Sequence, residues 1–147
     1  MIRLVQSMVG RMLALGLALG LAVPATLGQA EDPQAKAKAK LAFDVAKRFF
    51  RDGMFTTAVE RFDAFAEAHP GSSARAEAVL LEGQARFQLG QFEAVAAKLT
   101  AGLQSAGPWM DRYLFWIGEA QFALGRFREA AASYGQLSRS IPFQNEP

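Results

Sequence analysis

The sequence has no cysteine and a single histidine in 147 residues. Without cysteine there is no disulfide, thiolate nucleophile, iron–sulfur cluster, thiolate zinc site or lipidated N-terminus. One histidine, His69, excludes a paired-histidine metal site, and no cofactor is expected. Excess charge is also missing where it would matter. The formal net charge is +2, and Arg3 and Arg11 are the only charges before position 31, so residues 31–147 hold 14 bases and 14 acids. A neutral body offers no broad surface for nucleic-acid phosphates. No convincing period-two strand run appears either, which leaves helices as the building material. The length suits one compact domain or a few small repeats.

What is present begins with an export signature. Arg3 and Arg11 form a positive start, and Met12 to Val23 (MLALGLALGLAV) is an uncharged, mostly apolar run that Pro24 ends. Gly28-Gln29-Ala30 places small residues at the right spacing for cleavage after Ala30, with Val23-Pro24-Ala25 as a second, weaker site. The alternative is a retained anchor, but a spanning helix needs about 20 apolar residues. Residues 1–30 are therefore expected to be a signal peptide, and the chain periplasmic or otherwise exported. Membrane contact is expected only through this segment before cleavage. An exported chain without cysteine must draw its stability from packing.

Residues 31–38 read as a helical lead-in, with Asp32 able to cap, Pro33 in the first turn, and alternating Ala and Lys through Lys40. Beyond them the punctuation repeats. Asp52-Gly53-Met54-Phe55, Leu89-Gly90-Gln91-Phe92 and Leu124-Gly125-Arg126-Phe127 each set Gly two residues before Phe, at spacings of 37 and 35 residues. Pro70, Pro108 and Pro142 follow those glycines by 17, 18 and 17 residues. Self-similarity near 34 residues is the mark of a helix–turn–helix solenoid. Gly suits the left-handed residue that ends a first helix, and Pro marks the end of a second. Apolar residues recur at helical spacing on both sides of each Gly: Phe43, Ala46, Phe49 and Phe50, then Phe55, Ala58, Phe62 and Phe65, in the first unit.

These residues resemble the tetratricopeptide repeat, with Ala46, Gly83 and Gly118 as its small residues and Phe55, Phe92 and Phe127 as its aromatic ones. Phe62, Leu99 and Tyr134 occupy its second large position. The resemblance places repeats at 39–72, 76–109 and 111–144, the third (LFWIGEAQFALGRFREAAASY) the strongest, and is closest to the subgroup found in bacterial periplasmic proteins. It implies an all-α, right-handed helix–turn–helix solenoid of about three repeats after a signal peptide. It also implies a concave groove for a protein or peptide segment, lined by the first helix of each repeat. The residues it assigns to that groove are Phe43, Lys47, Leu80, Gln84, Arg112, Phe115, Trp116 and Glu119, with Trp116 expected to be exposed. The lysine–asparagine arrangement that captures a peptide carboxylate in one subgroup is missing.

Phe50, Phe87 and Phe122 are instead assigned to the core, since a buried Phe contributes roughly 1.5–3 kcal/mol. Trp109 is expected to pack between repeats, and His69 to serve as a helix-end residue. Asp63 and Glu67 share a helix face but have no nucleophile or orienting partner beside them, so no catalytic site is expected. Arg126 and Arg128 read as solvated turn residues. The third repeat has no polar capping helix after it, which points to a fragment of a longer array or to an end that pairs with itself or with a partner. Homotypic contact through the third repeat is thus a second expectation beside groove binding.

Overall fold

The computed structural model describes residues 33–140. The expected signal peptide, the Asp32 cap and Pro142 lie outside the described residues. Six α-helices follow in order: α1 Pro33–Arg51, α2 Phe55–Ala68, α3 Arg75–Gln88, α4 Phe92–Gly102, α5 Met110–Ala123 and α6 Phe127–Ser140. No strand occurs among the described residues. The lead-in is not a separate piece, because α1 runs unbroken from Pro33 into the first repeat.

The repeated glycines end the first helix of each pair as their spacing predicts. Gly53, Gly90 and Gly125 have φ of +74°, +72° and +74°. The glycine N–H bonds back to Phe50, Phe87 and Phe122, and the next residue's N–H reaches Phe49, Arg86 and Gln121 at 2.9 Å in each case. This is the Schellman arrangement, which satisfies the helix-end carbonyls and turns the chain for the next helix. The ends of the second helices are less uniform. α2 stops at Ala68 with His69 as its C-cap, one residue before Pro70. α4 ends early, at Gly102, and two 3₁₀ turns, Leu103–Ser105 and Gly107–Trp109, carry the chain to α5. The close approach of Tyr113 explains this. A Cβ on Gly102 would lie 3.1 Å from the Tyr113 ring, and Gly107 (φ +53°) followed by Pro108 cannot continue a helix.

Consecutive helices pack against one another throughout. In addition α1 touches α3 and α3 touches α5, while no comparable contact joins α2 to α4 or α4 to α6 among the described residues. The first helices of the pairs therefore crowd together on the concave side of a helical repeat solenoid. Two apolar clusters form the core. One joins Phe43, Ala46, Ala58, Phe62 and Phe65 of the first pair to Ala78 and Ala85 of α3. The other joins Leu80, Val95 and Leu99 of the second pair to Tyr113, Ile117 and Ala120 of α5. The first and second pairs each bury their apolar face under the first helix of the pair that follows.

A charged group interrupts this apolar pattern. Glu82 of α3 is fully buried. Its carboxylate accepts a hydrogen bond from Arg86 Nε at 2.7 Å and pairs with Lys98 Nζ of α4 at 2.9 Å. Lys98 also donates to Asp63 of α2. Burial works against the Lys98 ammonium, but hydrogen bonds to Asp63 and Glu82 outweigh it and hold its pKa above the ordinary lysine value. The network ties α2, α3 and α4 together.

Candidate functional site: the concave face and the outer edge

The concave face carries a row of polar side chains. Lys47 of α1, Gln84 of α3 and Glu119 of α5 occupy corresponding positions, each half-buried. Both ends of the row are fixed by aromatic rings. Lys47 Nζ sits 4.5 Å from the centroid of the Phe43 ring, and Glu119 accepts the Tyr134 hydroxyl at 2.7 Å. Burial, reinforced by that bond, pushes the Tyr134 phenol up to about 12. Arg112, exposed near the start of α5, stacks its guanidinium 5.0 Å from the Trp109 ring. Trp109 packs against the core between the second and third pairs, as expected. Beside the start of α1 a hollow of about 660 Å³ opens between α1 and the α2–α3 turn, with Phe43 and Phe65 among its walls and Lys36, Lys40, His69 and Ser73 around them.

The expected apolar lining of the groove is corrected at two positions. Phe43 is 5% exposed and Leu80 1%, so both are core residues, although Phe43 still borders the hollow. The reason is the following helix: α3 closes the cluster that holds Phe43, and α5 the one that holds Leu80. Phe115, at the corresponding position of the third pair, is 41% exposed. Trp116 is half-buried rather than exposed, its ring 5.1 Å from Phe87 of α3. The observed concave face is thus mainly polar, with Phe115 as its open aromatic.

The core assignment of Phe50 and Phe87 agrees with their packing against the two clusters, but Phe122 is corrected. It is 59% exposed, and Phe127 beside it is 62% exposed. Together with Phe115 they form an aromatic outer edge on the third pair. Arg126 is not merely a solvated turn residue either, since its guanidinium donates to Glu93 of the second pair at 2.8 Å. Asp63 is occupied by Lys98. His69 caps α2, its backbone N–H reaching Phe65 O at 3.0 Å. The described residues contain no group of three potential metal-ligating His, Cys, Asp or Glu side chains. None of their helices is long and apolar enough to cross a membrane.

Sequence reasoning missed Glu82. Its signal was available: the corresponding residues in the other pairs are Val45 and Ile117, so an acid there has to be paired.

No curated protein and no solved structure matches the chain. The family model of the tetratricopeptide repeat matches residues 112–140, which span α5 and α6 from Arg112 onward. Repeats of this family generally mediate protein–protein interactions and are generally non-enzymatic. The matched helix pair is a tetratricopeptide repeat, and the two pairs stacked before it end their first helices with the same glycine turn.

Proposed function

We propose that the chain is a non-enzymatic, exported adaptor that holds a segment of a partner protein across the concave face of α1, α3 and α5. The polarised row of Lys47, Gln84 and Glu119 carries this reading, ending beside the open ring of Phe115. A cation, an amide and a carboxylate in sequence fix the direction of a bound segment, and the aromatic ring supplies an anchor. In capture from an envelope extract with the chain as bait, Phe115→Ala combined with Glu119→Lys should release the bound partner while far-UV dichroism keeps its helical signal. A partner retained equally by both proteins would overturn the groove assignment. Export rests on Arg3, Arg11, the Met12–Val23 run and Gly28-Gln29-Ala30. The mass of the protein recovered from the periplasmic fraction should correspond to a chain starting at Glu31.

The exposed Phe122 and Phe127 favour a second reading, in which the third pair joins the chain to a larger assembly. Damage at Tyr134 or Leu137 should then change association while concave-face substitutions leave it unaltered.

A further inference from the structure

The outer edge of the third pair repeats, side chain for side chain, a surface that is already covered inside the molecule. Phe115, Phe122 and Phe127 correspond to Phe43, Phe50 and Phe55 of the first pair. The edge-on ring pair is the same in each unit: Phe50–Phe55 at 5.7 Å and 69°, Phe87–Phe92 at 4.9 Å and 63°, and Phe122–Phe127 at 5.3 Å and 66°. The first two of these pairs are packed against the core clusters and the third is open. On the first pair, the cover is α3, whose Ala78, Leu81 and Ala85 lie along one helix face in that cluster, continued by Ala74 at its N-cap. On the second pair, the cover is α5, through Tyr113, Ile117 and Ala120 with Trp109 and Trp116 beside them.

We propose that this edge binds an amphipathic helix of another protein, one that presents small and apolar residues at the spacing of Ala74, Ala78, Leu81 and Ala85. The proposal specifies the partner that the second reading above requires, and it rests on Phe122 and Phe127, sharing only Phe115 with the concave face. Charge narrows the partner further. Between the second and third pairs, Arg126 reaches back to Glu93 at 2.8 Å. The residue corresponding to Glu93 in the third pair is Arg128, which is exposed. A partner that continues the stack therefore carries a carboxylate, not a guanidinium, in the turn after its helix.

A second copy of this chain is the poorer occupant. On α1 the residues corresponding to Ala74, Ala78, Leu81 and Ala85 are Ala37, Leu41, Asp44 and Arg48. Asp44 is ion-paired with Lys40 and Lys47, and Arg48 with Asp52. Stacking α1 on the edge would strip water from these charges against the rings of Phe122 and Phe127.

The probe is a labelled synthetic helix of about 20 residues, long enough to hold its fold. It carries Ala, Ala, Leu and Ala at the spacing found in α3 and a glutamate after its last turn. Fluorescence anisotropy against the full chain should show saturable binding. Phe122→Asp and Phe127→Asp should each weaken it about tenfold or more, while Glu119→Lys leaves it unchanged. A probe with lysine in place of the glutamate should bind more weakly to the wild type and recover with Arg128→Glu. Absence of binding, or binding indifferent to Phe122 and Phe127, overturns the proposal. So does binding that appears only after deletion of residues 141–147, which would make the chain's own end the occupant. Concentration-dependent self-association abolished by Leu41→Asp would overturn it in favour of a second copy. Loss of probe binding with Glu119→Lys but not Phe127→Asp would place the helix on the concave face instead.

Discussion

Lys98→Met isolates the buried charge of Glu82. The substitution keeps the length of the side chain and its helix propensity but removes the ammonium that pairs with Glu82 at 2.9 Å. Glu82 is then left with Arg86 Nε at 2.7 Å, and its second oxygen faces the core. Breaking a fully buried pair typically costs 3–5 kcal/mol. Two features lower that figure here: Arg86 retains half of the carboxylate, and the Lys98 side chain is 34% exposed. About 2 kcal/mol remains, which for a folded unit of this size corresponds to a melting temperature lower by roughly 8 °C. Asp63→Asn removes the other carboxylate on Lys98, but that group is partly solvated and its loss should cost about 0.5 kcal/mol. The combined Glu82→Leu/Lys98→Met protein, which removes the charge along with its partner, should recover to within about 1 kcal/mol of the wild type. Thermal melts at neutral pH followed by far-UV dichroism read all three. If Lys98→Met is as mild as Asp63→Asn, or the double substitution is worse than the single, the account of Glu82 as a charge that requires Lys98 is wrong.

Two further outcomes can be checked directly. A Cβ at Gly118 would lie 2.5 Å from Cε1 of Tyr134, so Gly118→Ala should destabilise through overpacking of about 1–3 kcal/mol, offset by roughly 1 kcal/mol of helix propensity. Gly83→Ala meets the more pliant Leu99 at 3.1 Å and should cost less, as urea titrations of the two variants would read. The chain has two tyrosines, and both are raised to about 12. For Tyr113 burial is the main cause, opposed by Arg75 and aided by Glu82; for Tyr134 burial is joined by the Glu119 bond. Unfolded phenols lose their protons near pH 10, so between about pH 10 and 12 the unfolded chain holds fewer protons and stability falls as pH rises. The phenolate absorbance of the folded chain should develop late, and Glu119→Gln should move part of it to lower pH.

The fold was legible because its punctuation is local. A Gly two residues before a Phe needs only the backbone to specify a Schellman turn, and all three sites formed one. The length of α4 was less legible, since Gly102, Gly107 and Pro108 end it in combination with the approach of Tyr113 from the next pair. Side-chain exposure was legible where it is decided within a single helix, as for Lys47, Gln84 and Arg112. It was misread where a later helix decides. Phe43 and Leu80 are buried by α3 and α5, whereas Phe122 is open because no corresponding helix among the described residues covers it. Burial in a stacked array depends on neighbours some 35 residues away, and the period of one helix does not record them.

α3 faces two ways: Ala78 and Ala85 complete the cluster of the first pair while Val79 and Leu80 belong to that of the second. It therefore acts as a thermodynamic hinge pin for the array. Local opening of α6, which contributes to neither cluster, leaves both in place, whereas opening at α3 dissolves both. Native-state amide exchange should consequently be slower in α3 than in α6, so that the aromatic outer edge lies on the part of the described molecule that rearranges at least cost.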